Sequence, residues 1–173
     1  MRITGGKFCG HKLLSPSHQG LRPTSDMVRE ALFNILGDTV VDGKVLDLFA
    51  GSGALGIEAI SRGAGSVCFV EQDHRSLRVL KNNLQRFSDI TTEVRVFPAD
   101  VFRILPKLSQ EEAEYDLILI DPPYQANLWL RVLQSISQLT FLAATGQIVL
   151  EISKYASPLS LTLLFPSFIS MGL

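Results

Sequence analysis

KVLDLFAGSGALG, residues 44–56, decides how the rest of the chain is read. Val45, Leu46, Leu48 and Phe49 form a short apolar run, the pattern of a strand buried on both faces of a parallel sheet. Gly51 and Gly53 follow at once, and an amphipathic segment opens at Ala54. A strand, a glycine turn and a helix start leave backbone N–H groups facing a concave site that polar ligand groups can approach closely. Glu71 closes the next apolar run, Val67 to Val70. It stands roughly 20 residues beyond the turn, the spacing at which a nucleotide-binding α/β unit sets a carboxylate on ribose hydroxyls.

Gly51, Gly53 and Gly56 also satisfy the dinucleotide fingerprint, so the turn alone does not choose a cofactor. A second motif chooses. Asp121-Pro122-Pro123-Tyr124 follows the apolar run Leu117 to Ile120. Open α/β sheets bind ligands outside the carboxyl ends of their strands, so both motifs should face one crevice. Hydride transfer has no use for Asp-Pro-Pro-Tyr there, whereas methylation of a planar exocyclic amine does. The lone pair of such an amine is delocalised into the ring. The Asp121 carboxylate and the Pro122 carbonyl could hold its hydrogens and favour a tetrahedral nitrogen. Consecutive prolines stiffen the turn that aims the carbonyl, and Tyr124 offers a face for a base, worth about 1–3 kcal/mol in single-strand binders.

Asp100 ends the third predicted strand, where it could accept from an adenine amino group or cap the helix after it. Asp47, beside the glycine turn, could contact the cofactor's amino-acid end or hold the loop. Asp73 and Arg103 read as solvated surface, and so, on balance, does Arg29.

The 173 residues, 46% hydrophobic, suit one compact domain with a sizeable core. Net charge is −1, but residues 1–30 carry +3 and the remainder −4, a basic arm on an acidic body that hints at a polyanionic partner. Cys9 and Cys68 suggest no disulfide, and Cys68 reads as a small core side chain. The three histidines have no metal-ligand spacing, so no metal is expected. Met1 to Gly6 lacks an apolar signal core, so a cytoplasmic protein is expected. Residues 155–173 are uncharged, but Pro158, Pro166 and the serines argue against a membrane span.

Along the chain, residues 1–23 read as an extended or hairpin-like basic arm, and residues 24–173 as the catalytic domain. A helix is expected after Thr24 or Ser25, with Val28, Ala31, Leu32, Ile35 and Leu36 as its apolar face and Gly37 as its stop. Strands are expected at 67–70, 94–97, 115–120 and 147–152. Helices are expected at 54–62, 75–87, 102–108 and 128–139. This alternation on short connections predicts an α/β, doubly wound, mostly parallel sheet with an N-terminal extension.

Taken in order, RITGGKFCGHKL, LRPTSDMVREALFNIL, DLFAGSGALGIEAISRGA, VEQD and DPPY resemble the bacterial RsmD family over residues 1 to about 154. Its members are 16S ribosomal RNA guanine-N2-methyltransferases that use S-adenosylmethionine. The resemblance implies a Rossmann-like methyltransferase fold with strands beyond the five legible here. It implies Asp47, Gly51 and Gly53 at the methionine end of the cofactor, Glu71 on the ribose and Asp100 at the adenine. Asp121 to Tyr124 would receive the acceptor amine, with Asp121 also bordering the cofactor. Arg2, Lys7 and Arg22 would lie on an RNA-facing arm, and Lys12, on the same basic stretch, is a further RNA-binding candidate. The implied partner is 16S rRNA in the small ribosomal subunit or its assembly intermediate, met by a monomer with no membrane association. At the C-terminus the chain departs from the family's aromatic, basic closing strands, so a shortened last strand with an exposed apolar edge is expected.

Other readings remain at this point. An NAD-dependent oxidoreductase would need a proton-transfer residue, and no His or Tyr–Lys arrangement stands out. DNA adenine methylases generally resemble Asn-Pro-Pro-Tyr and add a target-recognition domain. Another rRNA acceptor, or a silent RNA-binding module, is also compatible with the arm. A thermal shift separates the cofactor classes. S-adenosylhomocysteine at about a hundred times its Kd should stabilise the fold by about 2.7 kcal/mol, and NAD should leave the midpoint unmoved.

Overall fold

The computed structural model describes residues 1–15, 25–87, 89–111, 114–123, 128–152 and 168–172, with backbone alone for Ile152 and the last five. The elements follow in the order α1 (Asp26–Leu36), β1 (Lys44–Leu48), α2 (Ala54–Ser61), β2 (Ser66–Glu71), α3 (His74–Gln85) and β3 (Glu93–Pro98). Then come α4 (Val101–Gln110), β4 (Tyr115–Ile120), α5 (Leu128–Ser137), β5 (Leu142–Ile152) and β6 (Phe168–Gly172). The six strands form one parallel sheet in the order β3-β2-β1-β4-β5-β6. From β1 the chain winds outward through β2 to β3, then returns to β4 on the other side of β1. That reversal opens a crevice at the carboxyl ends of β1 and β4, the place where open α/β sheets bind ligands.

Strand alternation sorts the core into two layers. Val45, Phe69, Leu119 and Val149 face α1, α2 and the N-terminal arm. Leu46, Val70, Ile118 and Leu150 face α4 and α5. Central strands flanked on both sides by helices have no polar face, and β1 runs apolar save for Asp47 and the exposed Lys44 at its start. Cys68 is buried in the second layer, and burial pushes its thiol up to about 11. Among the described residues no helix is long and apolar enough to cross a membrane.

Three expectations need correction. Helix α1 begins where expected, with the Ser25 side chain accepting from Val28 N–H. Its buried face, however, is Arg29, Leu32, Phe33 and Leu36, while Ala31 and Ile35 face solvent. Arg29 is no surface residue. It is fully enclosed, its guanidinium bonded to Glu58 Oε2 (3.2 Å), Asp26 Oδ1 (2.9 Å) and the Arg2 carbonyl. An apolar pattern does not register a cation buried against a partner on another helix.

Strand β5 starts at Leu142, before the expected Gln147. Its register shifts where Tyr115 pairs with Leu142 but Leu117 with Gln147, and the small residues 143–146 (Ala-Ala-Thr-Gly) in that irregularity carry no strand pattern. A sixth strand, β6, pairs with Ile148–Ile152 from within the uncharged stretch. The exposed edge expected there rests on side chains and on residues 153–167 outside those described.

The arm is hairpin-like. Arg2 and Lys12 form an antiparallel bridge, and Ile3 N–H donates to His11 O, Gly10 N–H to Ile3 O and Leu13 N–H to Met1 O. Ile3, Phe8 and Leu13 are buried in the first core layer, so residues 1–15 of the arm are packed down rather than free.

Helix α2 lies very close to the sheet at Gly56. A Cβ there would stand 2.2 Å from Phe69 Cε1 and 2.9 Å from Asp47 Oδ2. Gly56→Ala should therefore lower the unfolding free energy by about 1–3 kcal/mol. Met27→Ala, on the exposed face of α1, should change it by no more than about 0.5 kcal/mol. Urea unfolding of both variants checks the contrast.

Candidate active site

Asp47, Glu71, Asp121 and Glu151 come from four different strands or their ends, yet the sheet gathers them. Leu48 pairs with Val70 and Ile120, and Ile120 with Leu150. Glu71, Asp121 and Glu151, each the next residue on, stand at one level at the carboxyl edge. Alternation puts them, with Asp47, on the layer that carries Val45, Phe69, Leu119 and Val149. The crevice of β1 and β4 is thus edged by carboxylates.

The glycine turn is built from left-handed backbone. Gly51 has φ 57° and Gly53 φ 82°, and Phe49 holds φ 63°, a strain of about 1–3 kcal/mol for a residue with a side chain. Gly53 must be glycine twice over, since a Cβ would also meet Leu80 Cδ1 at 2.3 Å. At Gly51 a Cβ would meet nothing nearer than Phe49 O at 3.9 Å, so the turn is open on that side. Glu71 fixes the turn: Gly51 N–H donates to Oε2 (2.7 Å) and Asp73 N–H to Oε1 (2.8 Å). Asp73, read as plain surface, also caps α3 by accepting from Arg75 and Ser76 N–H.

Asp47 lies beneath the turn, 1% exposed, and its Oδ2 accepts from Gly56 N–H at 2.9 Å. It therefore anchors the first turn of α2. Burial pushes its carboxyl up to about 7, against the Gly56 hydrogen bond and with help from the Glu71 charge. Asp121 keeps some surface open, yet burial, then Glu151 and Asp47, hold its carboxyl well above the usual range. Pro122 is buried behind it and Pro123 is exposed.

Glu151, 3% exposed, was not a sequence candidate. Its signal was nevertheless present: like Glu71 and Asp121 it is a carboxylate closing an apolar strand run.

The remaining candidates are more dispersed. Asp100 caps α4, Oδ1 accepting from Arg103 N–H at 3.2 Å. Arg2, Lys7 and Lys12 are exposed on the arm. Arg2 Nε stands 4.0 Å from Asp26, and Lys7 Nζ donates to the Asp89 carbonyl at 2.8 Å. Arg22 and Tyr124 lie outside the described residues. Among the described residues no group of His, Cys, Asp and Glu is arranged to hold a metal ion.

The chain matches known proteins closely. The family model described as Conserved hypothetical protein 95 matches residues 1–164. The Ribosomal RNA small subunit methyltransferase D of Escherichia coli is 40% identical over 128 residues, covering 74% of this chain and 62% of that protein. The protein of the same name in Haemophilus influenzae is 36% identical over 154 residues, covering 89% of this chain and 79% of the relative. Among solved structures, a hypothetical protein of Thermus thermophilus superposes with a TM-score of 0.74 at 31% identity, covering 87% of this chain and 84% of that one.

The buried carboxyls make stability depend on pH with a definite sign. Asp47 ionises near its ordinary 3.8 when unfolded but only at about 7 when folded. Between those values the folded chain holds the extra proton, so this group costs stability as pH rises from about 4 to about 7, and the cost then levels off. Asp121 acts in the same direction. Asp47→Asn should flatten the decline by up to about 1.4 kcal/mol per pH unit, as read from urea midpoints between pH 4 and pH 8.

Proposed function

The chain belongs to the RsmD family, and on that premise we propose that it transfers a methyl group from S-adenosylmethionine to the N2 amine of a guanine in 16S rRNA. The observation that carries this reading is the crevice between β1 and β4, where the glycine turn, Glu71 and Asp121-Pro122 meet on one edge of the sheet. Relatives of this chain bear the name Ribosomal RNA small subunit methyltransferase D, which supports RNA as the acceptor. The small-subunit particle, a monomeric enzyme and a cytoplasmic setting belong to the same proposal.

The residues fit the cofactor. The side of Gly51 that a Cβ would occupy is open, so the backbone can be approached closely by the methionine end. Each oxygen of Glu71 takes one backbone N–H, and a carboxylate oxygen can accept a second donor, which suits two ribose hydroxyls. Asp47 supports the turn from beneath through Gly56. Asp100 caps α4 and keeps acceptor capacity for an adenine amino group. S-adenosylmethionine, when bound, supplies a methyl group on a positively charged sulfur and departs as the neutral thioether.

Asp121 and the Pro122 carbonyl receive the hydrogens of the guanine N2. In the ligand-free chain Asp121 is held toward its neutral form by burial and by Glu151 and Asp47. Amine hydrogens donated to it favour the carboxylate, the form that draws the nitrogen lone pair out of the ring. As N2 gains the methyl group it loses one proton, and a carboxylate of raised pKa is suited to take it, although proton loss can follow transfer. Holding donor and acceptor in line contributes up to about 7–11 kcal/mol in well-oriented systems. Tyr124 is assigned base stacking on its motif position. Arg2, Lys7, Lys12 and Arg22 are assigned to the RNA backbone, where their contribution falls with salt. The base is taken from an unstacked loop or flipped into the crevice.

The test is incubation with labelled S-adenosylmethionine and either naked small-subunit RNA or unmodified small-subunit particles, followed by nucleoside analysis. N2-methylguanosine is expected, and label in a different nucleoside would overturn the acceptor assignment. Asp121→Ala should lower transfer by at least about a hundredfold, the scale of a transition-state contact, while S-adenosylhomocysteine affinity stays within about threefold. Wild-type turnover in that variant would remove Asp121 from the acceptor site.

A further inference from the structure

Asn83 is fully buried on α3, and its side chain joins two segments far apart in sequence. Nδ2 donates to the carbonyls of Leu14 (3.0 Å) and Ser52 (2.9 Å), and Oδ1 accepts from Leu14 N–H (2.8 Å). The set requires two donors and an acceptor on one short side chain, which an amide supplies and Asp or Leu does not. Leu14 lies on the arm just before residues 16–24, which contain Arg22. Ser52 lies between the left-handed glycines 51 and 53.

We propose that Asn83 is a positioning residue that ties the arm to the glycine turn, so that cofactor and RNA bind this chain cooperatively. The inference rests on the cofactor and RNA reading above. The direction of the Ser52 carbonyl is set by the torsions of the turn, and Leu80 of α3 packs where a Cβ of Gly53 would be. A ligand that settles those torsions settles one Asn83 N–H, and the same amide group then presents its other N–H and its oxygen to Leu14 in one geometry. An RNA that reaches the arm then meets Leu14 already in its held geometry, so less order remains to be imposed on that contact. By linkage, bound RNA favours the cofactor by the same factor.

Two readouts test this on the full chain. In calorimetric titration, small-subunit RNA should tighten S-adenosylhomocysteine binding about fivefold or more in the wild type, and Asn83→Ala should bring the ratio to about one. In hydrogen exchange on the wild type, S-adenosylhomocysteine should slow the amides of 49–53 and, with them, Leu14. A merely structural Asn83 would lower the melting temperature of the variant and leave the affinity ratio intact, which overturns the proposal. Slowing confined to 49–53, or equal affinity with and without RNA, also overturns it while sparing the cofactor assignment. No binding of S-adenosylhomocysteine overturns both. If Asn83→Ala does not fold, the wild-type exchange at Leu14 decides.

Discussion

The carboxylate of Glu58 is wholly buried on α2 and takes four donors, two on each oxygen. Thr4 N–H (2.9 Å) and Arg29 Nε (3.2 Å) reach Oε2, while Thr4 Oγ1 (2.7 Å) and Arg62 Nε (2.9 Å) reach Oε1. A charge removed from water is tolerated only with such complete pairing, and removing one partner of a buried pair typically costs about 3–5 kcal/mol. Through this one side chain the arm, α1 and α2 are held in a single arrangement. Ser61, one turn further on, extends it by accepting from Phe8 N–H and donating to the Gly5 carbonyl.

Helix α2 is therefore anchored at both ends. It starts at the glycine turn, where Asp47 holds Gly56, and it finishes under the arm, where Ser61 and Arg62 meet Gly5 and Thr4. Arg2, Lys7 and Lys12 are consequently not on a loose tether. Their backbone is referenced to the same helix that sets the turn, which holds this part of the arm and the crevice at a fixed separation. Asp26 shows how this surface is tuned. Burial works against its charge, but Arg2 N–H and the Arg29 guanidinium prevail and lower its pKa.

Periodicity and motif spacing made the sheet and its crevice legible. Apolar runs ending in Gly or a carboxylate marked β1, β2 and β4, and parallel pairing then brought Glu71 and Asp121 to one edge without any contact being guessed. Features that depend on a partner elsewhere in the chain were not legible. Arg29 reads as a polar helix position until Glu58 is placed opposite it. Ile35 reads as core until that arginine rotates it to the outside. Glu151 was visible as a type of residue but gains meaning only from lying beside Asp121. The start of β5 was hidden because residues 143–146, small and without apolar alternation, fill an irregularity in its pairing with β4.

Hydrogen exchange of the arm in Glu58→Gln tests the central claim, that one buried carboxylate fixes the arm to α2. An amide has a single accepting oxygen, so its NH2 group would face two donors that now meet oxygen. The amides of Thr4, Ile3, Gly10 and Leu13 should exchange much faster than in the wild type, with β1 and β4 remaining the slowest segments. Arm amides as protected as in the wild type would contradict the account.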